Sequence, residues 1–397
     1  MTPPKSSVNI ASRDNLPRVL LVFDPRLEET AATLHGINEI GHQLGPWTYF
    51  FDDEARAASD RGWLCENKWA GVISRHTTPM LAQTCLERRI PLIDMNDSPA
   101  FAGITKIRPD NARIGGLAAE HLLDGGFRSF AFCGYDNASW SQTRCEGFTQ
   151  AVKLAGFSCV IHNANYPGVL SPGWDLEEAK ELGGWLKQLP KPTAVMACHD
   201  MRALQLLTAA QNAGLRVPED IAVVGVNNDL IRCELASPPL SSVATSPTVA
   251  GRKAAEMLAK LMAGDKLGST EIQIEPTGVV VRRSSDVLAV SDKGVAAALR
   301  FIREHACEGI NVDQVLPHAS MSRTQIEKKF REYLGRSPQA EIRRVQVMKI
   351  RQLLEDTELP LKHIAELTGF EYMEYMSYVF KRAIGVSPGA YRRNLHA

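Results

Sequence analysis

Phe330-Arg-Glu-Tyr-Leu-Gly-Arg-Ser-Pro338 returns fifty residues later as Phe380-Lys-Arg-Ala-Ile-Gly-Val-Ser-Pro388. In both stretches an aromatic residue and a cation precede an aliphatic one. Gly-x-Ser-Pro then stops a helix and sets a turn, because glycine accepts the backbone angles of a helix end and proline cannot continue one. Upstream, Val312-x-x-Val315 is matched by Leu361-x-x-Ile364 at nearly the same displacement. Such self-similarity marks a repeated supersecondary unit. Each copy reads as a short helix, a turn and a second helix. In the second copy the helix Leu361 to Leu367 ends at Thr368-Gly369-Phe370, where glycine supplies the positive φ the turn needs and Phe370 drops into the core. In the first copy Ser322 is a natural N-cap for Arg323-Thr-Gln-Ile-Glu-Lys-Lys-Phe330. Ile326 and Phe330 then fall on the buried stripe, which leaves Arg323, Thr324, Glu327 and Lys328 on the outer face.

The surrounding charge fits a reader of polyanions. The chain has 397 residues with 45 Lys+Arg against 45 Asp+Glu, but from Lys293 to Ala397 the count is 17 against 12, leaving 28 against 33 elsewhere. A basic helical unit is thus joined to an acidic one, which points to a nucleic-acid partner. Paired helix-turn-helix units place two helices for the major groove, where Arg, Lys and Gln read base edges while flanking cations hold phosphates. A helical bundle with solvated outer faces is the plainer alternative.

Ahead of the duplication, from Arg18 to about Val281, apolar runs of strand length alternate with amphipathic stretches. Val19–Phe23, Gly71–Ser74, Pro91–Asp94, Phe130–Cys133, Ala194–Ala197 and Ile221–Gly225 read as buried parallel strands, separated by helical pieces near 111–123, 143–155, 200–213 and 248–263. That alternation implies βαβ units in parallel sheets covered on both faces. Ligands bind such sheets beyond the carboxyl ends of the strands. Residues 1–17 read as a disordered start, 18–281 as the α/β unit, 282–292 as a linker and 293–397 as the helical reader.

Several function classes have no support. No apolar run approaches the roughly 18 residues of a membrane helix, and the first 17 residues lack the apolar stretch of a secretory signal, so cytoplasm is the expected location and a transport receptor is disfavoured. The eight cysteines never form CxxC and read as reduced core thiols, with neither a metal site nor a cofactor implied. Gly385-Val-Ser-Pro-Gly389 matches the nucleophile elbow in letters, but follows a helix instead of a strand, so Ser387 is a turn residue. Cys198-His199-Asp200 is no nucleophile with its base, because adjacent residues at a strand end point opposite ways.

Gly369-Phe370, Tyr375, Phe380-Lys381, Gly385-x-Ser387-Pro388 and Tyr391-Arg392 closely resemble the signature of the AraC/XylS family of transcription regulators, over about residues 293–397. The resemblance implies a seven-helix domain whose reading helices are Ser322 to Tyr333 and Tyr372 to Ala383. Ser322, Arg323, Thr324, Glu327 and Lys328 of the first, and Met373, Glu374, Ser377 and Tyr378 of the second, would face bases or phosphates. The chain departs from the pattern at Ser320, a turn position usually Gly, at Met376, usually aromatic, and at Pro317, late in a helix.

Pro109-Asp-Asn-Ala-Arg-Ile-Gly-Gly116, Arg144-x-x-Gly147-Phe148, Pro192-Thr-Ala-Val-Met-Ala-Cys-His-Asp200 and Gly214-Leu-Arg-Val-Pro-Glu-Asp-Ile-Ala-Val-Val-Gly225 resemble the sugar-sensing domain of LacI/GalR-type repressors. That resemblance implies a periplasmic-binding-protein-like fold of two α/β lobes, with three crossovers near residues 107, 243 and 269 and a sugar in the cleft. Arg144, Asp200 and Asn227 would meet the hydroxyls, Asn227 standing where Asp is more usual, and Trp140 would stack on the ring. A sensor of this type ahead of an AraC-type reader is similar to the bacterial regulators of xylose operons. This implies a DNA-binding transcription activator, not an enzyme. D-xylose is its leading effector, with double-stranded promoter half-sites and RNA polymerase as partners and a homodimer as the working form. The alternative is an enzyme of sugars or sugar phosphates with a helical C-terminal arm.

Overall fold

A computed structural model describes residues 16–97, 100–166, 172–265, 270–286 and 292–395. The expected disordered start, apart from Leu16 and Pro17, and residues 287–291 of the expected linker lie outside the described residues. The chain divides into two units, Met1–His121 with Ser129–Asp286 and Leu122–Arg128 with Val287–Ala397.

Among the described residues the first unit holds twelve strands: β1 (Arg18–Val22), β2 (Thr48–Asp52), β3 (Gly71–Ser74), β4 (Leu92–Asp94), β5 (Thr105–Pro109), β6 (Phe130–Tyr135), β7 (Cys159–Ala164), β8 (Thr193–Ala197), β9 (Ile221–Asn227), β10 (Ser241–Ala244), β11 (Glu271–Ile274) and β12 (Gly278–Val280). They form two sheets of six, in the orders β11-β5-β4-β3-β1-β2 and β12-β10-β9-β8-β6-β7. Every pairing is parallel except β10 with β12, an antiparallel edge on an otherwise parallel sheet. The first five strands of each lobe are wound alike, with the order reversing between β1 and β3 and between β6 and β8. Such reversals open a crevice at the carboxyl ends of the strands.

Alternation along β1 shows why this half of the chain is sheet. Val19, Leu21 and Phe23 enter one core with Ile73, Ile93 and Ile107, while Leu20 and Val22 enter the opposite core with Val72 and Leu92. Both faces are covered, so each such side chain contributes about 1.5–3 kcal/mol by leaving water. Three passages join the lobes, after β5, after β10 and between β11 and β12. The third lies after Ile274, later than the expected 269, itself outside the described residues. β11 is an edge strand with an exposed start and carried no apolar signal.

Arg282 to Ser285, expected within the linker, instead belong to the first unit. The Ser284 hydroxyl donates to the Val223 carbonyl at 2.6 Å and accepts from the Ser241 N–H at 2.8 Å, and the Arg282 N–H donates to Ser241 Oγ at 2.7 Å. The polar run is occupied in satisfying sheet-edge backbone, so no tether begins before Asp286.

The second unit has seven α-helices among the described residues, as the resemblance implies: Lys293–His305, Val312–Ala319, Arg323–Leu334, Pro338–Asp356, Leu361–Leu367, Met373–Ile384 and Pro388–Leu395. The duplicated motif does the same work twice. Gly335 and Gly385 end the reading helices in the left-handed region. Ser337 and Ser387 then cap the following helices through the N–H groups of Ala340 and Ala390. Phe330 packs with Ile326 and Ile342, and Phe380 with Ile364, Phe370 and Met376. Met376 is thus a core residue in the place usually aromatic.

The helix Pro338–Asp356 serves both clusters. From its middle the buried Gln346 amide donates to Ala306 O at 3.0 Å and Thr368 O at 2.9 Å, tying one half to the other. Gly369 has φ of 75°, and a Cβ there would meet Gly309 N at 2.4 Å. The turn needs glycine for both reasons.

Pro317 lies inside the helix Val312–Ala319, which ends at Ser320 with φ 51° and ψ 41°. A residue with a Cβ is strained there. Ser320→Gly should therefore raise the unfolding free energy of this unit by about 0.5–1 kcal/mol, the relief being partly offset by the freer unfolded chain. Urea denaturation followed by helical circular dichroism measures it, and a lower midpoint would contradict it.

Candidate effector cleft and nucleic-acid interface

Side chains that follow the strands of both lobes meet at the crevice. From the first lobe come Glu29 after β1, Arg75 after β3 and Asp97 after β4. Arg75 is ion-paired to Glu29 and lies 3.5 Å from Asp97 Oδ2. Burial works against its charge, but the two carboxylates outweigh that and hold its pKa above the usual arginine value. Asp97 Oδ1 is buried with no hydrogen-bond partner among the described residues. Buried carboxylate oxygens are costly when unpaired, so this atom is poised for a donor.

From the second lobe come Ser139, Trp140 and Arg144 after β6, His199 after β8 and Asn227 at the end of β9. Arg144 is placed by two glycines. A Cβ on Gly115 would sit 2.2 Å from Arg144 O, and one on Gly147 would sit 2.1 Å from Ala112 O. Only glycine lets the helices Asn111–Asp124 and Ser139–Leu154 cross so closely. Arg144, 4% exposed, then donates from Nε to Asn111 Oδ1 at 2.8 Å and from Nη1 to Cys198 O at 2.6 Å. Nη2 has no partner among the described residues. Burial lowers the pKa of Arg144, while Asp97 is the foremost of the charges that support it.

The lobes touch through Ser139, whose hydroxyl donates to Asp97 O at 2.9 Å. His199 Nδ1 accepts from the Arg202 N–H at 2.8 Å, so the neutral ring carries its proton on Nε2. Burial pushes its pKa down to about 3. Tyr135, Trp140, Tyr166 and His199 form an aromatic group with ring centroids 5.1–6.4 Å apart.

The four effector residues expected from sequence are not equivalent in the structure. Arg144 and Trp140 are together, with the guanidinium 5.1 Å from the indole centroid. His199 stacks on Trp140 at 5.4 Å, so the indole is part of an aromatic group. Asn227 lines a cavity of about 240 Å³ between the lobes with Glu29, Asn228, Arg232 and Thr245, and its φ of 103° is strained. Asp200 corrects the expectation. It is 2% exposed and committed to protein: Oδ1 accepts from the Ser242 hydroxyl at 2.6 Å, and Oδ2 from the Asp229 N–H at 2.8 Å and the Cys233 thiol at 3.6 Å. Its role is to hold the ends of β8, β9 and β10 together.

Burial pushes the Asp200 pKa up to about 7 against the bonds from Ser242 and Cys233. A carboxyl raised above its unfolded value of 3.8 contributes stability that is whole below about pH 4 and lost as pH rises through about 7. Asp200→Asn keeps an acceptor for Asp229 and puts a donor against Ser242 Oγ. The difference in melting temperature between pH 5 and pH 8 should therefore shrink in this variant. An unchanged difference would show that Asp200 does not titrate there.

Glu29, Arg75, Asp97 and Tyr166 were not singled out from sequence, and His199 was weighed only as a catalytic base and set aside. The first three stand just beyond β1, β3 and β4, strands that the apolar runs had located. The strand-end rule, applied to the first lobe, would have found them.

In the second unit the predicted reading residues stand on the outer faces of their own helices. Ser322 caps its helix reciprocally with Gln325. Arg323, Thr324 and Lys328 are exposed and Glu327 partly so, and together with Arg331 they line one shallow depression. Arg323 Nη1 lies 2.9 Å from Asp313; a surface pair of this kind is weak and exchanges readily for phosphate or a base. On the helix Met373–Ile384, Met373, Glu374 and Tyr378 are exposed and Ser377 is half-buried, while Met376 and Phe380 form the buried stripe.

Comparison with known proteins bears on both units. Residues 119–285 match the model of a periplasmic binding protein-like domain and residues 317–394 that of a helix-turn-helix domain. The chain is 30% identical over 386 residues to the xylose operon regulatory protein of Escherichia coli (strain K12), covering 94% of this chain and 96% of that protein. It is 30% identical over 387 residues to the xylose operon regulatory protein of Haemophilus influenzae, covering 95% and 98%. A solved structure of the xylose-binding transcription activator XylR is similar at a TM-score of 0.59 and 28% identity, over 95% of this chain and 97% of that one.

Proposed function

We propose a mechanism from one premise: this chain belongs to the family of the xylose operon regulatory proteins. It is a sugar-responsive, DNA-binding transcription regulator, with the helix-turn-helix units as the reader. Its effector is D-xylose, bound between the lobes, and it activates transcription as a homodimer on promoter half-sites in contact with RNA polymerase. The cytoplasm, where chromosome and sugar meet, is its place of work; no helix among the described residues is long and apolar enough to cross a membrane.

The observation that carries the effector reading is the set of unmet polar groups facing the crevice from both lobes. Arg144 Nη2 and His199 Nε2 offer donors, while Asp97 Oδ1 offers an acceptor. A pentose presents hydroxyls that donate and accept at once, and its C–H face suits the Trp140 and Tyr166 rings. Asn227 and Arg75 complete the polar lining. A sugar bridging Arg144 to Asp97 spans the two lobes and binds the shut arrangement better than the open one. That difference in affinity lets it shift the population toward one DNA-binding geometry.

Titrating promoter DNA into the protein, with fluorescence anisotropy at several salt concentrations, tests both halves. Affinity should fall steeply as salt rises, because each neutralised phosphate releases counterions, and D-xylose should alter it where L-arabinose and D-ribose do so less. Salt-independent or absent DNA binding would refute the regulator reading. A response to a different sugar would refute only the choice of effector.

A further inference from the structure

The two reading helices occupy equivalent places in the duplicated units, yet their outer faces differ in kind. Shifting the first by fifty residues sets Ser322 against Tyr372, Arg323 against Met373, Thr324 against Glu374, Gln325 against Tyr375 and Lys328 against Tyr378. The buried stripe is kept, Ile326 and Phe330 answering to Met376 and Phe380, all fully buried. Only the outer face has changed, from cationic to aromatic.

That change runs against local structure. Ser322 makes a reciprocal capping box, whereas Tyr372, at the same helix start, makes no capping hydrogen bond. Loss of a cap costs about 1 kcal/mol, so the tyrosine is not there to start the helix. Tyr372, Tyr375 and Tyr378 are 61%, 49% and 59% exposed, which is unusual for rings with nothing to cover them. Two of them make ring contacts: Tyr375 and Tyr378 stack at 6.5 Å and 14°, and the Arg343 guanidinium sits 5.1 Å from the Tyr375 ring.

We propose that the second helix, Met373–Ile384, reads its major groove by apolar contact with thymine methyl groups through Met373 and Tyr378, with Glu374 accepting from cytosine, while the first helix reads guanine and phosphate through Arg323 and Lys328. This rests on the regulator reading above. DNA is the favoured occupant because the patch lies where the duplicated unit places its cationic counterpart, and Lys381 and Arg382 follow on the same helix to hold phosphates. In the major groove the thymine C5-methyl is the apolar mark, and carboxylates pair with the cytosine amino group. The two subsites of one protomer therefore differ in base chemistry.

The test uses the full chain on operator DNA mapped by footprinting, with each thymine replaced in turn by uracil, which removes only the methyl group. Uracil in the subsite of the second helix should weaken binding about three- to fivefold per methyl, and uracil in the other subsite should not. Tyr378→Phe should keep this sensitivity and Tyr378→Ala should lose it. Tyr378→Lys, which restores the residue type of the first copy, should lose it and steepen the salt dependence by about one charge. Tight binding that is indifferent to uracil throughout overturns the proposal. So does a Tyr378→Ala protein with unchanged DNA affinity but altered oligomeric mass, which would mark the patch as a protein contact. Absence of DNA binding by the unaltered protein would instead refute the regulator reading beneath it.

Discussion

Arg144→Ala should weaken effector binding by about a hundredfold while leaving DNA affinity without sugar unchanged. Its side chain is buried and braced twice, by Asn111 and by the Cys198 carbonyl, which leaves Nη2 directed by its anchors and not by its own flexibility. A charge-assisted hydrogen bond of this kind contributes about 1.5–3 kcal/mol, and losing it also strips Asp97 of a nearby cation. Roughly 3 kcal/mol corresponds to about two decades in affinity. Arg144→Lys keeps the charge but not the planar fork, and should recover only part of the loss. Isothermal titration with D-xylose measures both variants. Wild-type affinity in Arg144→Ala would place the effector elsewhere.

The second large effect concerns the duplicated aromatic. Phe330 and Phe380 are completely buried in separate clusters, one on the first half and one on the second half of the helix Pro338–Asp356. Removing a phenyl ring from such a site costs about 3–5 kcal/mol, through lost transfer energy and the cavity left behind. Phe330→Ala and Phe380→Ala should each lower unfolding stability by that amount and abolish specific binding, because each ring seats the stripe opposite a reading surface. A loss below about 1 kcal/mol in either variant would mean that the cluster can collapse around the gap. It would also mean that the helix orientation does not depend on it.

Legibility in the sequence followed burial. β1, β3, β4, β6, β8 and β9 are interior strands covered on both faces, so their residues form unbroken apolar runs. β2, β7, β11 and β12 were missed: each is an edge or near-edge strand with much of its surface in water. β5 and β10 were missed for a different reason. They are internal, but carry polar residues with buried partners: Lys106 lies 2.9 Å from Asp94, each side chain 1% exposed, and Ser242 bonds Asp200. Periodicity cannot report a polar group whose partner lies far along the chain. The same limit shaped the site. The helical reader was legible because its residues are local and repeated, whereas the meeting of Arg144 with Asn111 and Cys198, or of Ser139 with Asp97, is set by tertiary packing. Asp200 shows the cost, being the right residue at a strand end but turned inward to Ser242 and Asp229.

Gln346 bears on how promoters can change. Its amide grips Ala306 O and Thr368 O from the midpoint of a nineteen-residue helix, which at 1.5 Å per residue measures about 28 Å. The two reading surfaces are consequently joined through one continuous helix, which holds their spacing and phase. Base substitutions within either contacted stretch lose one contact each and leave the others in place. A single inserted base pair between the stretches rotates one of them by about a tenth of a turn and defeats all of its contacts together. Operators of this regulator are free to drift in letters but not in spacing, so a search for its targets should hold the gap constant and let the letters vary.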